Sequence, residues 1–300
     1  MTVKEARKMA RAFDENKNPS EEEIFLYTEA MNYLIEEEKN PQDMMCLGGY
    51  YYEIKRFDLA LKYYEMAAAM DYDCAYECLG YIWYYGRTGE KDYKKAFENF
   101  SKVAATGNIV AKYKIADMYK NGYYVEQNQE KYEEIIEELY QDSKRWSRNI
   151  PEVDYSELPF PEIYTRLARI RKEHGNIEDA INLYLEAKPI LARRISFNAF
   201  FGNLNIMKWL IDDLYELMDF DKDFFDFFDL YYLLKTPHTI GFAYDGMNYI
   251  VESVMEGGEC VVNFDGKWFH SRDEFFQKAM IGEYKITAIS EELFGLEVII

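Results

Sequence analysis

Two stretches of this chain echo one another at a fixed interval, and no other feature limits its fold as strongly. Leu79-Gly80 returns as Ile115-Ala116, Gly86 as Gly122, and Asp92 as Asn128, each pair 36 residues apart. Ala60 precedes Ala96, and Asp71 precedes Gly107, by the same 36 residues. A period of this length belongs to stacked helical hairpins, each too small to bury its apolar face alone. Neighbouring hairpins must then share a core.

The spacing of apolar residues extends this reading along the chain. Residues 3–16 place Ala6, Met9, Ala10 and Phe13 on one helical face. Ser20 and Glu23 form a capping-box pattern that opens a helix through Ile24, Tyr27, Leu34 and Ile35. Asn40-Pro41 starts a third helix, in which Leu47-Gly48 admits a close neighbour and Tyr51 fills the gap one turn later. Residues 55–58 turn the chain into the next helix. Leu47 to Ala60 spans 13 residues, whereas Leu79 to Ala96 spans 17, the difference being a longer loop at 86–91. The third unit keeps Gly122 and Val125 but carries Tyr132 where alanine is expected, which predicts a looser helix pair.

Beyond residue 143 the periodicity fails, and Asn149-Ile150-Pro151 with Leu158-Pro159-Phe160-Pro161 predicts a linker with extended stretches up to 161. Helical spacing resumes at Ile163. Leu167 to Ala180 is again 13 residues, with Gly175-Asn176 at the turn, so a further hairpin is expected. Pro189 ends that hairpin or opens the next helix. Residues 196–218 suggest two helices around Gly202, and the aromatic run 223–234 a last helix. At Thr236-Pro237 the pattern changes. Asp245-Gly246 and Asp265-Gly266 each separate alternating runs and predict two β-hairpins. Ser271 to Glu274 caps a short helix ending near Met280, and strands are expected at 284–289 and 296–300. The expected domains are thus 1–235, helical, and 236–300, a small α+β domain.

The units at 41–142 closely resemble Sel1-like repeats, relatives of the tetratricopeptide repeat. The resemblance rests on Leu79-Gly80, Gly86, Asp92-Tyr93, Lys95-Ala96, Phe100 and Ala104-Ala105-x-Gly107. The pairs at Leu47 to Ala60 and at 162–188 resemble plain tetratricopeptide repeats. The resemblance implies a mainly α fold, a right-handed superhelix of antiparallel helix pairs, followed by the small α+β domain. It also implies a scaffold that binds a protein or peptide on its concave surface. In the resembling families the first helix of each pair lines that surface. Carried over, those positions are Tyr52 and Glu53, then Glu77, Tyr81, Tyr84 and Tyr85, then Tyr113, Asp117 and Lys120.

Charge and composition narrow the partner. The formal net charge of −20 repels phosphate backbones and sets nucleic acid aside. The same charge favours a basic partner, and tyrosines beside acids suit a basic or extended peptide. No apolar run approaches the length needed to span a bilayer, and the N-terminus lacks an apolar signal core. The four cysteines, Cys46, Cys74, Cys78 and Cys260, make no disulfide framework, which indicates a reduced, cytoplasmic setting.

Catalysis finds little support. The chain has no H-E-x-x-H, no P-loop and no G-x-S-x-G, so no metal, cofactor or enzymatic activity is expected. His270, Ser271 and Asp273 are sequence neighbours, and Ser271 is better used as a helix cap. Cys74 and Cys78 read as buried free thiols in small-residue positions rather than metal ligands. Phe224, Phe225, Phe227 and Phe228 are expected to be buried under the β domain. Two alternatives to the adaptor remain at this stage. One is an immunity-type inhibitor of a basic toxin or enzyme; the other is a ligand-sensing C-terminal domain coupled to the helical repeats.

Overall fold

The computed structural model describes residues 1–14, 16, 19–149 and 160–299, with the side chains of 146–149 and 160 left aside. The chain divides into two compact units, Met1–Ile135 and Ile136–Ile300.

The first unit is a run of antiparallel helix pairs. Helices α1 (Val3–Asp14) and α2 (Glu21–Glu38) pair through Ala6, Ala10 and Ala30, with Phe13 stacked 4.0 Å from Tyr27. Met9, expected on the buried face, is exposed. The Ser20 hydroxyl accepts the Glu23 amide and the Glu23 carboxylate accepts the Ser20 amide, completing the capping box. Asn40 caps α3 (Pro41–Glu53) by accepting from the Gln42 amide. That helix pairs with α4 (Phe57–Ala68).

The next helices carry the echo. Gly86 ends α5 (Asp73–Tyr85) and Gly122 ends α7 (Ile109–Asn121), both in the left-handed region with φ of 63° and 67°. Asp92 caps α6 (Tyr93–Ala104) by accepting the Lys95 amide, and Asn128 accepts the Lys131 amide at the head of α8 (Gln129–Asn149). The repeated residues are thus the punctuation of successive hairpins: left-handed stop, then cap. Tyr132, where alanine was expected, is 1% exposed. Its ring lies 4.8 Å from the Lys120 ammonium.

Helix α8 runs to Asn149, further than the linker expected from 143; the rest of that linker, residues 150–159, lies outside the described residues. In the second unit α9 (Phe160–Glu173) pairs with α10 (Ile177–Phe197), as the 13-residue spacing predicts. Pro189 neither ends nor starts a helix but sits inside α10. One helix, α11 (Phe201–Leu214), follows in place of the two expected around Gly202. Residues 223–234 form no regular helix. They give a 3-10 turn at Phe227–Asp229 and a single helical turn, α12 (Leu230–Leu233). The local cause is Asp226, whose carboxylate accepts the Phe228 amide while Asp229 accepts that of Asp226. Phe227 and Phe228 are buried against Phe276, but Phe224 is 87% exposed, against expectation.

Five strands, β1 (His238–Tyr244), β2 (Met247–Glu256), β3 (Glu259–Phe264), β4 (Lys267–Phe269) and β7 (Phe294–Val298), form an antiparallel sheet in the order β4-β3-β2-β1-β7. Asp245-Gly246 and Asp265-Gly266 have positive φ at both positions, as a two-residue hairpin turn requires. Ile240, Val251 and Phe264 face one another across three strands and are buried. The short helix α13 (Arg272–Lys278) covers this face, with Phe275 5.8 Å from Phe264 and 5.7 Å from Phe269. The strand expected at 284–289 is only the two-residue β6 (Tyr284–Lys285), paired with β5 (Met280–Ile281) and followed by a 3-10 segment, Ile286–Glu292. Arg272 clasps Asp212 on α11 through two contacts at 3.0 and 3.1 Å, and Lys188 on α10 holds the buried Asp229 at 2.6 Å. The strands and α9–α12 therefore share one compact unit.

Candidate functional site

The first helices of the pairs, α3, α5 and α7, carry most of the candidate residues, and side-chain contacts join many of them into one cluster. Tyr85 is its hub. Its hydroxyl accepts from the Lys114 ammonium at 2.6 Å, its ring stacks 6.0 Å from Tyr81 at 9°, and the Arg87 guanidinium lies 4.7 Å from its centroid. Arg87 also donates from Nε to the Tyr52 hydroxyl at 3.2 Å, which brings α3 into the cluster. Tyr81 and Tyr113 pair through their hydroxyls at 2.9 Å.

Lys114 is the residue that sequence reasoning missed. It is 4% exposed, and its ammonium lies 4.9 to 5.5 Å from the rings of Tyr81, Tyr84, Tyr85 and Tyr113. Asp117, one turn along α7, stands 3.8 Å away and balances the charge. A lysine placed next to Tyr113 and three residues before Asp117 was the available signal. Buried ammonium groups are costly unless paired, so this position has to meet both the rings and the acid.

The tyrosines are not equivalent. Tyr113 is 3% exposed, so it backs the face rather than lining it. Tyr52, Tyr81, Tyr84 and Tyr85 are half-buried. Tyr84 meets Phe100, Tyr93 and Tyr123 edge-on, and Tyr81 meets Phe100 at 5.8 Å. These two rings are thus partly core and partly open. Burial also pushes the Tyr81 hydroxyl far above its usual range, keeping it neutral. Tyr52 is raised by burial too, against the opposing pull of Arg87.

Glu77 accepts from the Asn108 side-chain amide at 2.7 Å, and burial raises its carboxyl above the ordinary range. Asn108 also caps α7, so this contact ties α5 to the start of α7. Glu53 is exposed at the end of α3. Lys120 lies over Tyr132 on α8. Elsewhere, His270, Ser271 and Asp273 do not converge: Ser271 caps α13, Asp273 meets Lys208 at 2.7 Å, and the His270 amide donates to Glu274. Among the described residues no group of three His, Cys, Asp or Glu side chains could hold a metal ion. Nor is any described helix long and apolar enough to cross a membrane.

The left-handed glycine stops, the caps at Asp92 and Asn128, and the bare glycines Gly48 of α3 and Gly80 of α5, matched by Ala116 in α7, are the features of the repeat unit. The helix pairs resemble Sel1-like repeats. Among solved structures the chain is similar to a Sel1 repeat protein from Oxalobacter formigenes, at 18% identity over 70% of this chain and 89% of that one, with a TM-score of 0.45. It is also similar to a protective antigen of uropathogenic Escherichia coli strains displaying an SLR fold, at 15% identity and a TM-score of 0.39. That match covers 64% of this chain and 45% of the antigen. No protein-family model and no curated protein matches the chain.

Proposed function

We propose that this chain is a helical-repeat scaffold that binds a protein or peptide across the face formed by α3, α5 and α7. The observation that carries this reading is the connected row from Tyr52 through Arg87 and Tyr85 to Tyr81 and Tyr113. Half-buried rings fixed by their neighbours offer flat contact area with little rotamer freedom left to lose. Arg87 and Asp117, both half-buried, supply polar groups at the same place. Binding without catalysis suits this set of side chains, which holds no nucleophile beside a base.

The net charge of −20 favours a basic partner, by steering and by complementarity, and keeps an inhibitor of a basic toxin or enzyme as a second reading. Four free thiols fit a reducing, cytoplasmic setting.

The test is photo-crosslinking after affinity capture with the full chain. Benzoylphenylalanine replaces Tyr85 in one variant and the exposed Trp268 on β4 in another. Crosslinking of the captured partner from position 85 and not from 268 is expected. Crosslinking from 268 alone would move recognition to the strand-rich part of the second unit and contradict the proposal.

A further inference from the structure

Among the described residues, the buried acids and several half-buried ones face a cation. Asp43 meets Arg7, Glu162 meets Arg194, Asp213 meets Arg169, Asp212 meets Arg272, and Asp229 meets Lys188. Glu77 departs from this rule. It is half-buried and its carboxyl is raised by burial, yet among the described residues no cation reaches it. Its one hydrogen-bond partner there is the neutral Asn108 amide, on Oε2. The buried cation of the tyrosine cluster, Lys114, is directed at Tyr85 and Asp117. A carboxylate that has lost part of its hydration without gaining a counter-charge is costly to keep, and a cation arriving from outside removes that cost.

Position adds to the argument. Tyr81 lies one helical turn beyond Glu77 on α5, so its half-buried ring stands beside the carboxylate. A carboxylate next to an aromatic face is suited to an ammonium or guanidinium, which meets the charge at its tip and the ring with its flank.

We propose that Glu77 receives the Lys or Arg side chain of a basic peptide segment bound on the α3–α5–α7 face, Oε1 accepting from the incoming cation while Asn108 holds Oε2. This rests on the face reading above and names the partner's chemistry. The titratable neighbours of Glu77 are Cys78 and Tyr81 on its own helix, both pushed further up by its charge, and α7 presents the neutral Asn108. Binding therefore weakens as Glu77 is protonated, starting at a pH above the usual carboxylate range.

The experiment is selection of displayed random dodecapeptides on the immobilised full chain at pH 7.5, with affinities then measured for wild type, Glu77→Gln and Tyr85→Phe. Glutamine keeps the shape and the Asn108 contact but removes the charge. Expected are peptides enriched in Lys or Arg, at least tenfold weaker on Glu77→Gln, and weaker on wild type at pH 5 than at pH 7.5. Peptides that bind the two proteins equally, or whose affinity for wild type is flat with pH, overturn the role of Glu77. If those same peptides still weaken on Tyr85→Phe, the face reading survives that loss. If no variant alters binding, or no peptide is selected, both fail.

Discussion

A side-chain carbon at Gly80 would stand 2.4 Å from Cε1 of Phe100, inside the ring's van der Waals envelope. Phe100 is fully buried, so its ring has nowhere to go. The same contact exists one repeat earlier, where a Cβ at Gly48 would meet the Tyr64 ring at 2.6 Å. Gly80→Ala should therefore destabilise the first unit by about 1–3 kcal/mol. Gly49, next to Gly48 but with nothing within 4 Å, is the control, and its alanine variant should be neutral or slightly stabilising. Urea midpoints of the two variants check this. Equal midpoints would show that the close approach is not what glycine is needed for.

Ala96 is fully buried on α6, in the cluster of Phe100, Val103, Ala111 and Met118. Ala96→Leu adds three carbons to this packed layer and should cost about 1–3 kcal/mol by overpacking. Thermal unfolding measures the loss; an unchanged midpoint would mean the layer holds an undetected void.

These two sites show why the helical part was legible in sequence. Gly48 to Tyr64 is 16 residues and Gly80 to Phe100 is 20, and the four extra residues are the longer loop at 86–91 that the spacing of Leu79 and Ala96 announced. Local punctuation fixes such hairpins: Gly86, Gly122, Asp92 and Asn128 act within a few residues of themselves. Failures came where distant contacts decide. Phe227 and Phe228 pack on Phe276, far along the chain, a contact that adds to the local Asp226 and Asp229 caps in holding 223–234 out of a regular helix. Pro189, expected at a helix boundary, lies inside α10, where Ala187 and Leu191 are buried on either side of it. In the candidate site, helical spacing placed Tyr81, Tyr84 and Tyr85 together. It could not supply Lys114, whose burial among four rings is a tertiary fact.

The raised carboxyl of Glu77 makes a stability prediction independent of any partner. The folded state holds this proton more tightly than the unfolded state, so the group destabilises the fold above its folded value. That cost fades as pH falls toward the ordinary carboxylate range. Glu77→Gln should thus be more stable than wild type at pH 7.5, by about 1–4 °C in Tm, with the difference shrinking toward pH 4.5. A difference that is constant or grows on acidification would contradict the assignment.

Thiol reactivity offers a further check on α5. Burial around its sulfur pushes the Cys78 thiol up to about 12, whereas Cys74, against the expectation of a buried thiol, is exposed, as is Cys46. At pH 8 the thiolate fraction of Cys78 is then on the order of a thousandfold below that of an ordinary thiol. Iodoacetamide should label Cys46 and Cys74 within the folded protein and reach Cys78 only on unfolding. Equal labelling of Cys74 and Cys78 would show that the α4–α5 packing opens in solution.

The central claim is that recognition occurs on the face of α3, α5 and α7. Amide hydrogen exchange of the full chain, with and without its captured partner, tests it most directly. The account predicts slower exchange in α5 and α7 around 77–87 and 108–117, with β2–β4 unchanged. Protection confined to the strands, with α5 and α7 exchanging as before, would contradict it.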